Sequence, residues 1–144
     1  MVEKIMKSIS KALNQVFADG FEIYFSKDVR QGLTEPCFFI TLMGSSRIRR
    51  IGVRYRLFNS FVIQYFPKTK GGNLEMIRVA EQLNDVLEYI ELFNGDLVQG
   101  TAMNYSIQDG VLHFFVDYNM FLKKEQVLDE METLEVDANT IQEG

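Results

Sequence analysis

A chain of 144 residues with 47% hydrophobic residues, 18 aromatic rings and two prolines has the size of one domain. It can bury roughly 70% of the surface of its extended chain, which excludes a disordered polypeptide and a disulfide-stapled miniprotein. The net charge of −5 is a property of the end of the chain: residues 125–144 carry seven acids (Glu125, Asp129, Glu130, Glu132, Glu135, Asp137 and Glu143) and no base, leaving residues 1–124 at +2 once those charges are set aside. Within the body, Arg47, Arg49, Arg50, Arg54 and Arg56 form the densest basic run, with no acid from Cys37 to Leu74. A pI near 4.9 is a poor fit to a free-standing nucleic-acid-binding domain. The single Cys37 cannot form an internal disulfide, and its apolar setting, CFFITLM, reads as a buried small hydrophobe. The first turn is amphipathic and unlike a signal peptide, and no apolar run approaches the roughly 18 residues of a membrane span. Synthesis in a reducing cytoplasm with no membrane partner is therefore expected.

Val2, Ile5, Met6, Ile9, Ala12, Leu13, Val16 and Phe17 recur at three- and four-residue spacing, the signature of an amphipathic helix. Asp19-Gly20 ends it, glycine being favoured just past a helix C-terminus. Phe21 to Ser26 alternates as a short strand with Phe21, Ile23 and Phe25 on one face, and the polar Lys27 to Pro36 reads as a surface loop. Cys37 to Met43 is apolar nearly throughout, so a strand covered on both faces is expected, with a neighbouring subunit as one source of cover. Gly44-Ser45-Ser46 looks like the start of a turn, and Arg47 to Arg50 either extends it or begins the next strand. Arg54 to Phe66, RYRLFNSFVIQYF, is long enough for a full strand. Tyr55, Leu57, Phe61, Ile63 and Tyr65 lie on one face, and Arg54, Arg56, Phe58, Ser60, Val62 and Gln64 on the other.

Pro67 to Asn73, PKTKGGN, is a turn-rich connection, and Asn73 can cap the helix that follows. Leu74, Ile77, Ala80, Leu83, Leu87 and Ile90 mark a stripe of nearly ideal helical spacing, which Asn94-Gly95 stops. The Asp109-Gly110 pair then sits between two alternating runs, about Leu97 to Ile107 and Val111 to Leu122, the strongest short-range signal for a hairpin with a type I′ turn. With Gln108 opposite Val111, Ile107/Leu112, Tyr105/Phe114 and Met103/Val116 fall on one wholly apolar face, while Ser106/His113 and Asn104/Phe115 fall on the other. After Leu122 the body is complete at about residue 124. Leu128, Met131, Leu134 and Val136 give the acidic tail a weak apolar rhythm, compatible with order against the body, order against a neighbour, or neither. The order helix, strands, helix, strands with tight turns predicts one α+β domain over residues 1–124, a mostly antiparallel sheet with two helices packed on one face.

Groups able to do chemistry are few. The chain has one histidine, one cysteine and no tryptophan, and lacks the nucleophile-elbow, zinc-protease, P-loop and C-x-x-C patterns. His113 lies mid-strand on the mixed face with Asp117, which reads as a hydrogen-bonded structural histidine; the two could give two metal ligands, but nothing else of that type is near in sequence. Gly71-Gly72-Asn73 before a helix, with Lys68 and Lys70, weakly resembles a phosphate cradle, and a strand-to-helix connection explains the same residues. The arginines and aromatics of Arg47 to Phe58 would suit single-strand stacking, but an exposed strand face or protein contact surface is preferred. Apolar residues on second faces, Phe38, Ile40 and Leu42 and then Phe58, Val62 and Phe66, are more than one helix-covered face requires. Large uncovered patches mark protein contacts, so the candidate assembly residues are Arg47, Arg49, Arg50, Arg54, Arg56, Phe38, Ile40, Phe58 and Val62.

The segments EPCFFI (Glu35 to Ile40), RYRLFNSFVIQYFP (Arg54 to Pro67), AEQLNDVLEYIE (Ala80 to Glu91) and GTAMNYSIQDGVLHFFVDYNMF (Gly100 to Phe121) resemble the tail terminator family of tailed bacteriophages and prophages of Gram-positive bacteria, over roughly residues 5–124. The last segment is the most specific. The resemblance implies a structural virion protein and not an enzyme, with no cofactor, no metal and no catalytic residues to carry over. It implies a ring, commonly a hexamer, on the head-proximal end of the tail tube, made in the host cytoplasm, that stops tube polymerisation and joins the tail to the head. The implied partners are other copies of the chain, the tail tube protein, a neck or head-completion protein, and DNA passing through the lumen without sequence-specific binding. Two other readings stand beside it: a neck or head-tail connector of the same particle, and a small ligand-binding protein or enzyme using His113 and Asp117.

Overall fold

The spacing of Ile5, Ile9 and Leu13 forms α1, Val2–Val16, and buries these three side chains completely. The computed structural model describes residues 1–17, 20–25, 36–69, 71–124 and 134–137, the side chains of 123–124 and 134–137 excepted. The Phe17 N–H closes the last turn of α1 on the Leu13 carbonyl at 2.7 Å, and Gly20 takes the positive φ of +82° expected where the helix has ended. β1, Glu22–Phe25, runs parallel to β2, Cys37–Arg49. Most of the polar loop expected between them, and Asp19, lie outside the described residues.

β2 is longer than its sequence suggested. The expected turn at Gly44-Ser45-Ser46 is instead a β-bulge between Leu42 and Gly44, after which the strand continues to Arg49 against β3, Arg54–Phe66. The reason is tertiary: the Ser45 hydroxyl donates to Asn59 Oδ1 at 2.8 Å, and Asn59 Nδ2 donates to the Tyr118 carbonyl at 3.0 Å. Both side chains therefore find partners within the sheet rather than in a turn. The chain reverses only at residues 50–54, where the Arg50 N–H bonds the Arg54 carbonyl at 2.7 Å and Gly52 supplies a φ of +64°.

α2 spans Asn73–Val86 with Gly72, not Asn73, as its N-cap. Its buried stripe is Met76, Val79, Ala80 and Leu83, so the expected stripe is turned: Leu74, expected on the apolar face, is 68% exposed. Leu87 and Ile90 are buried as expected but lie past the helix, at its C-cap and in β4, Tyr89–Glu91. The sheet ends the helix early. The Tyr118 hydroxyl donates to the Leu87 carbonyl at 2.6 Å and the Gly100 N–H donates to the Glu88 carbonyl at 2.7 Å, giving acceptors at the helix end partners outside the helix. A side chain at residue 100 would place its Cβ 2.6 Å from the Leu87 oxygen, so this approach requires glycine. Asn94-Gly95 forms the turn from β4 into β5, Leu97–Gln108.

The β5–β6 hairpin has the predicted register. Gln108/Val111, Ile107/Leu112, Ser106/His113, Tyr105/Phe114 and Asn104/Phe115 pair across a turn in which Asp109 (φ 54°) and Gly110 (φ 75°) are both left-handed, as type I′ demands. The expected Met103/Val116 pair is absent, because the ladder shifts between Thr101 and Asn104, where Ala102 adopts a φ of 52°. β6, Val111–Lys124, is central: β3 lines one edge, and β5 and then β7, Leu134–Asp137, pair along the other.

The seven-stranded sheet has the order β1-β2-β3-β6-β5-β4 with β7 beside β6, every pair but β1–β2 antiparallel. Both helices pack on one face, over Phe61, Ile63 and Tyr65 of β3 and Leu112, Phe114, Val116 and Tyr118 of β6. The fold is α+β, and part of the acidic tail returns to it as β7. Because a β-branched residue is poorly tolerated at positive φ, Gly110→Val should lower unfolding stability by at least about 1 kcal/mol. Denaturant titration checks it, and an unchanged midpoint would contradict the turn's role in holding the register.

Candidate assembly surface

Beyond the bulge, β2 runs on along the edge of the sheet, exposed from Met43 onward, while β3 stays paired with β6 as far as Arg54/Lys123 and keeps Leu57 in the core. This outer stretch of β2 and its turn into β3 form an exposed arm. Arg47 and Arg49 share one face of the arm, opposite Leu57 and Tyr55, while Ile48 lies on the other face opposite Arg56. Ile48 and Ile51 are 50% and 65% exposed near and at the tip. The predicted arginines are brought together but not alike. The Arg47 guanidinium lies 4.8 Å from the centroid of the Tyr55 ring, and that of Arg56 lies 4.9 Å and 5.4 Å from those of Phe58 and Phe121, distances at which a ring face attracts a cation. Arg49 Nε donates to the Gly52 carbonyl at 3.1 Å and secures the turn. Arg50 is exposed beside that turn, whereas Arg54 and Arg56 are half-buried on β3.

The face of the sheet away from the helices carries Phe58, Val62 and Phe66 of β3 beside Val111, Phe115 and Phe121 of β6, all half-buried. Phe58 and Val62 thus stand on the second face as expected. Phe38 and Ile40 do not: both are fully buried in the core under the helices, because the register pairs them with Tyr65 and Ile63. The alternate residues, Cys37 and Phe39, take the other face and are buried as well. There the Phe39 ring packs against Tyr24 at 5.5 Å and Phe66 at 5.7 Å between centroids. The two-sided cover predicted for this strand therefore comes at least in part from rings of the same chain.

His113 is half-buried on this second face, where Gln64 Nε2 and His113 Nδ1 stand 3.4 Å apart and Ser106 is the cross-strand neighbour. Asp117 shares the face, and its backbone carbonyl accepts from the Thr101 hydroxyl at 3.3 Å. Among the described residues no group of three or more histidine, cysteine or acidic side chains is placed to hold a metal ion. None of their helices is long and apolar enough to cross a membrane.

The sequence model of one protein family, described as phage tail terminator protein, matches residues 4–130. The chain belongs to this family. Membership makes the terminator-family chain a structural protein of the phage tail. No curated protein gives a significant match.

One polar site of this terminator-family chain was not anticipated. Glu75, in the first turn of α2, accepts the Tyr65 hydroxyl at 2.5 Å, the Lys68 N–H at 2.9 Å and the Thr69 N–H at 3.2 Å. An acid at the third helical position after a turn is its sequence signal. At Gly71-Gly72-Asn73, where the sequence weakly resembles a phosphate cradle, the Gly72 and Asn73 N–H groups bond the Thr69 and Gly71 carbonyls at 3.0 and 2.9 Å, and Glu75 sets a carboxylate beside the connection. Burial pushes the Glu75 pKa up, but the hydrogen bonds from Tyr65, Lys68 and Thr69 outweigh it and hold the carboxyl below its ordinary value of 4.5. Burial, and then the neighbouring Glu75, pushes the Tyr65 phenol well above the usual tyrosine value. A depressed folded-state pKa stabilises above the unfolded value and loses that contribution as pH falls through the folded one. The stability gap between the wild type and Glu75→Gln should therefore be full above pH 4.5 and shrink below it. Unfolding titrations at about pH 6 and about pH 3 check this, and a constant gap would contradict it.

Proposed function

We propose that copies of this chain form a ring on the head-proximal end of the tail tube, stop its polymerisation at the set length and present the surface to which the neck of the filled head joins. The observation that carries this reading is membership of the tail terminator family over residues 4–130. The surface supports it physically. A closed ring is built from heterologous contacts, each using two different patches of one subunit, and this chain offers both an exposed basic edge along outer β2 and an apolar second sheet face that its own helices leave uncovered. DNA passes through the lumen without sequence-specific contacts, and the tube protein, the neck protein and neighbouring copies are the partners.

Electron microscopy of the purified protein, alone and with tube protein, should show hollow rings, and a monomer under both conditions would overturn the proposal. Phage particles lacking the chain should contain tubes of uncontrolled length with unjoined heads. Tails of normal length that merely fail to join heads would assign the chain to the neck instead.

A further inference from the structure

The charges of the body are segregated along the sequence. Residues 37–74 carry seven lysines and arginines and no acid, whereas residues 79–122 carry seven acids and no lysine or arginine. The fold brings the outermost members of each set to different places. Arg47, Arg49 and Arg50 stand exposed on the β2–β3 arm with Ile48 and Ile51. Glu81 and Asp85, four residues apart on α2, Glu88 just past its end and Glu91 on β4, the far edge strand of the sheet, are all exposed. Apolar side chains accompany these acids too: Tyr89 and Leu97 are each nearly half exposed. They line a groove of about 210 Å³ together with Val16 and Ala12 of α1, and Lys11 and Glu91 are the charged residues along it.

We propose that the arm of one copy docks on the α2–β4 edge of the next copy, arginines against acids, with Ile51 at the tip of the arm against the Tyr89–Leu97 groove. The contact rests on the reading that copies of the chain assemble into a ring. Its direction follows from charge. A two-fold contact between arms would set arginines against arginines, and one between α2–β4 edges would set acids against acids; only the head-to-tail pairing is complementary, and head-to-tail contacts are those that close into rings. Within one copy the two surfaces are separated by β3, β6 and β5, roughly 19 Å at about 4.8 Å per strand. Each subunit can therefore offer one surface to each neighbour.

The test reverses charge on each side separately in the full chain. Arg47→Glu with Arg49→Glu, and Glu88→Arg with Glu91→Arg, should each raise the concentration needed for assembly at least tenfold in sedimentation, with circular dichroism melting reporting the fold. A one-to-one mixture of the two variants should recover assembly, because every arm then meets an edge of opposite sign, and so should the chain carrying all four reversals. If the reversed arm does not fold, Arg47→Gln with Arg49→Gln should fold, weaken assembly and reduce its salt dependence. Wild-type assembly by either reversed variant would overturn the contact while leaving the ring reading intact. Loss of assembly by the arm variant with no recovery in the mixture or the fourfold variant would also overturn it; the same loss in a chain ending at Lys124 would then assign the acidic tail as the arm's partner. A wild-type chain that stays monomeric at every concentration, alone and with tube protein, would remove the ring and this contact together.

Discussion

The uninterrupted ladder between β3 and β6 sets the plan of the molecule. From Arg54/Lys123 to Tyr65/Leu112 the two strands pair without a register shift, whereas the outer ladders β2–β3 and β5–β6 each contain one. Since neighbouring side chains alternate faces, this one register sends Leu57, Phe61, Ile63 and Tyr65 with Leu112, Phe114, Val116 and Tyr118 to the helices. It sends Phe58, Val62 and Phe66 with Phe115 and Phe121 to the opposite side. A slip of one residue would exchange the two sets. The tight left-handed turn at Asp109-Gly110 fixes separately where β6 begins relative to β5.

Two buried tyrosines from these same strands tie the second helix down at both ends. Tyr65 donates to Glu75 in the first turn of α2, and Tyr118 donates to the carbonyl of Leu87 at its C-cap. Burial pushes the Tyr118 phenol, like that of Tyr65, far above the ordinary value, so both remain protonated donors at any physiological pH. A buried carbonyl without its donor loses about 1–3 kcal/mol, and apolar packing alone would leave the helix able to slide along its axis. Gly100 completes the arrangement, since its missing Cβ lets β5 pass against the Leu87 oxygen.

What remains outside this scaffold is the exposed outer stretch of β2 and the apolar second face of the sheet. The arm is the outer stretch of β2 with its turn into β3, and its Arg47 and Arg49 are held by the Tyr55 ring and by the turn. The polar site at Glu75 holds a connection in place. A structural protein of the tail needs a rigid body with several distinct faces, and the single register of the central strands supplies it.

The sequence by itself determined most of the elements and much of the phase: the first helix, the Asp-Gly hairpin with its register as far as Asn104/Phe115, the two faces of β3, the fold class and the family. These are local, since a helix stripe, a strand alternation and a turn dipeptide each express their physics within a few residues. Tertiary structure decided the rest. Phe38 and Ile40 sit in a run apolar on every residue, which carries no alternation to say which side is inward; only pairing with Tyr65 and Ile63 placed them in the core. Gly44-Ser45-Ser46 has turn chemistry, but Asn59, distant in sequence, holds Ser45 in a bulged strand. α2 stopped at Val86 although its apolar spacing continues to Ile90, because hydrogen bonds from Tyr118 and Gly100 took the Leu87 and Glu88 carbonyls at its end. In each case the deciding partner lies more than ten residues away, where no local pattern reaches.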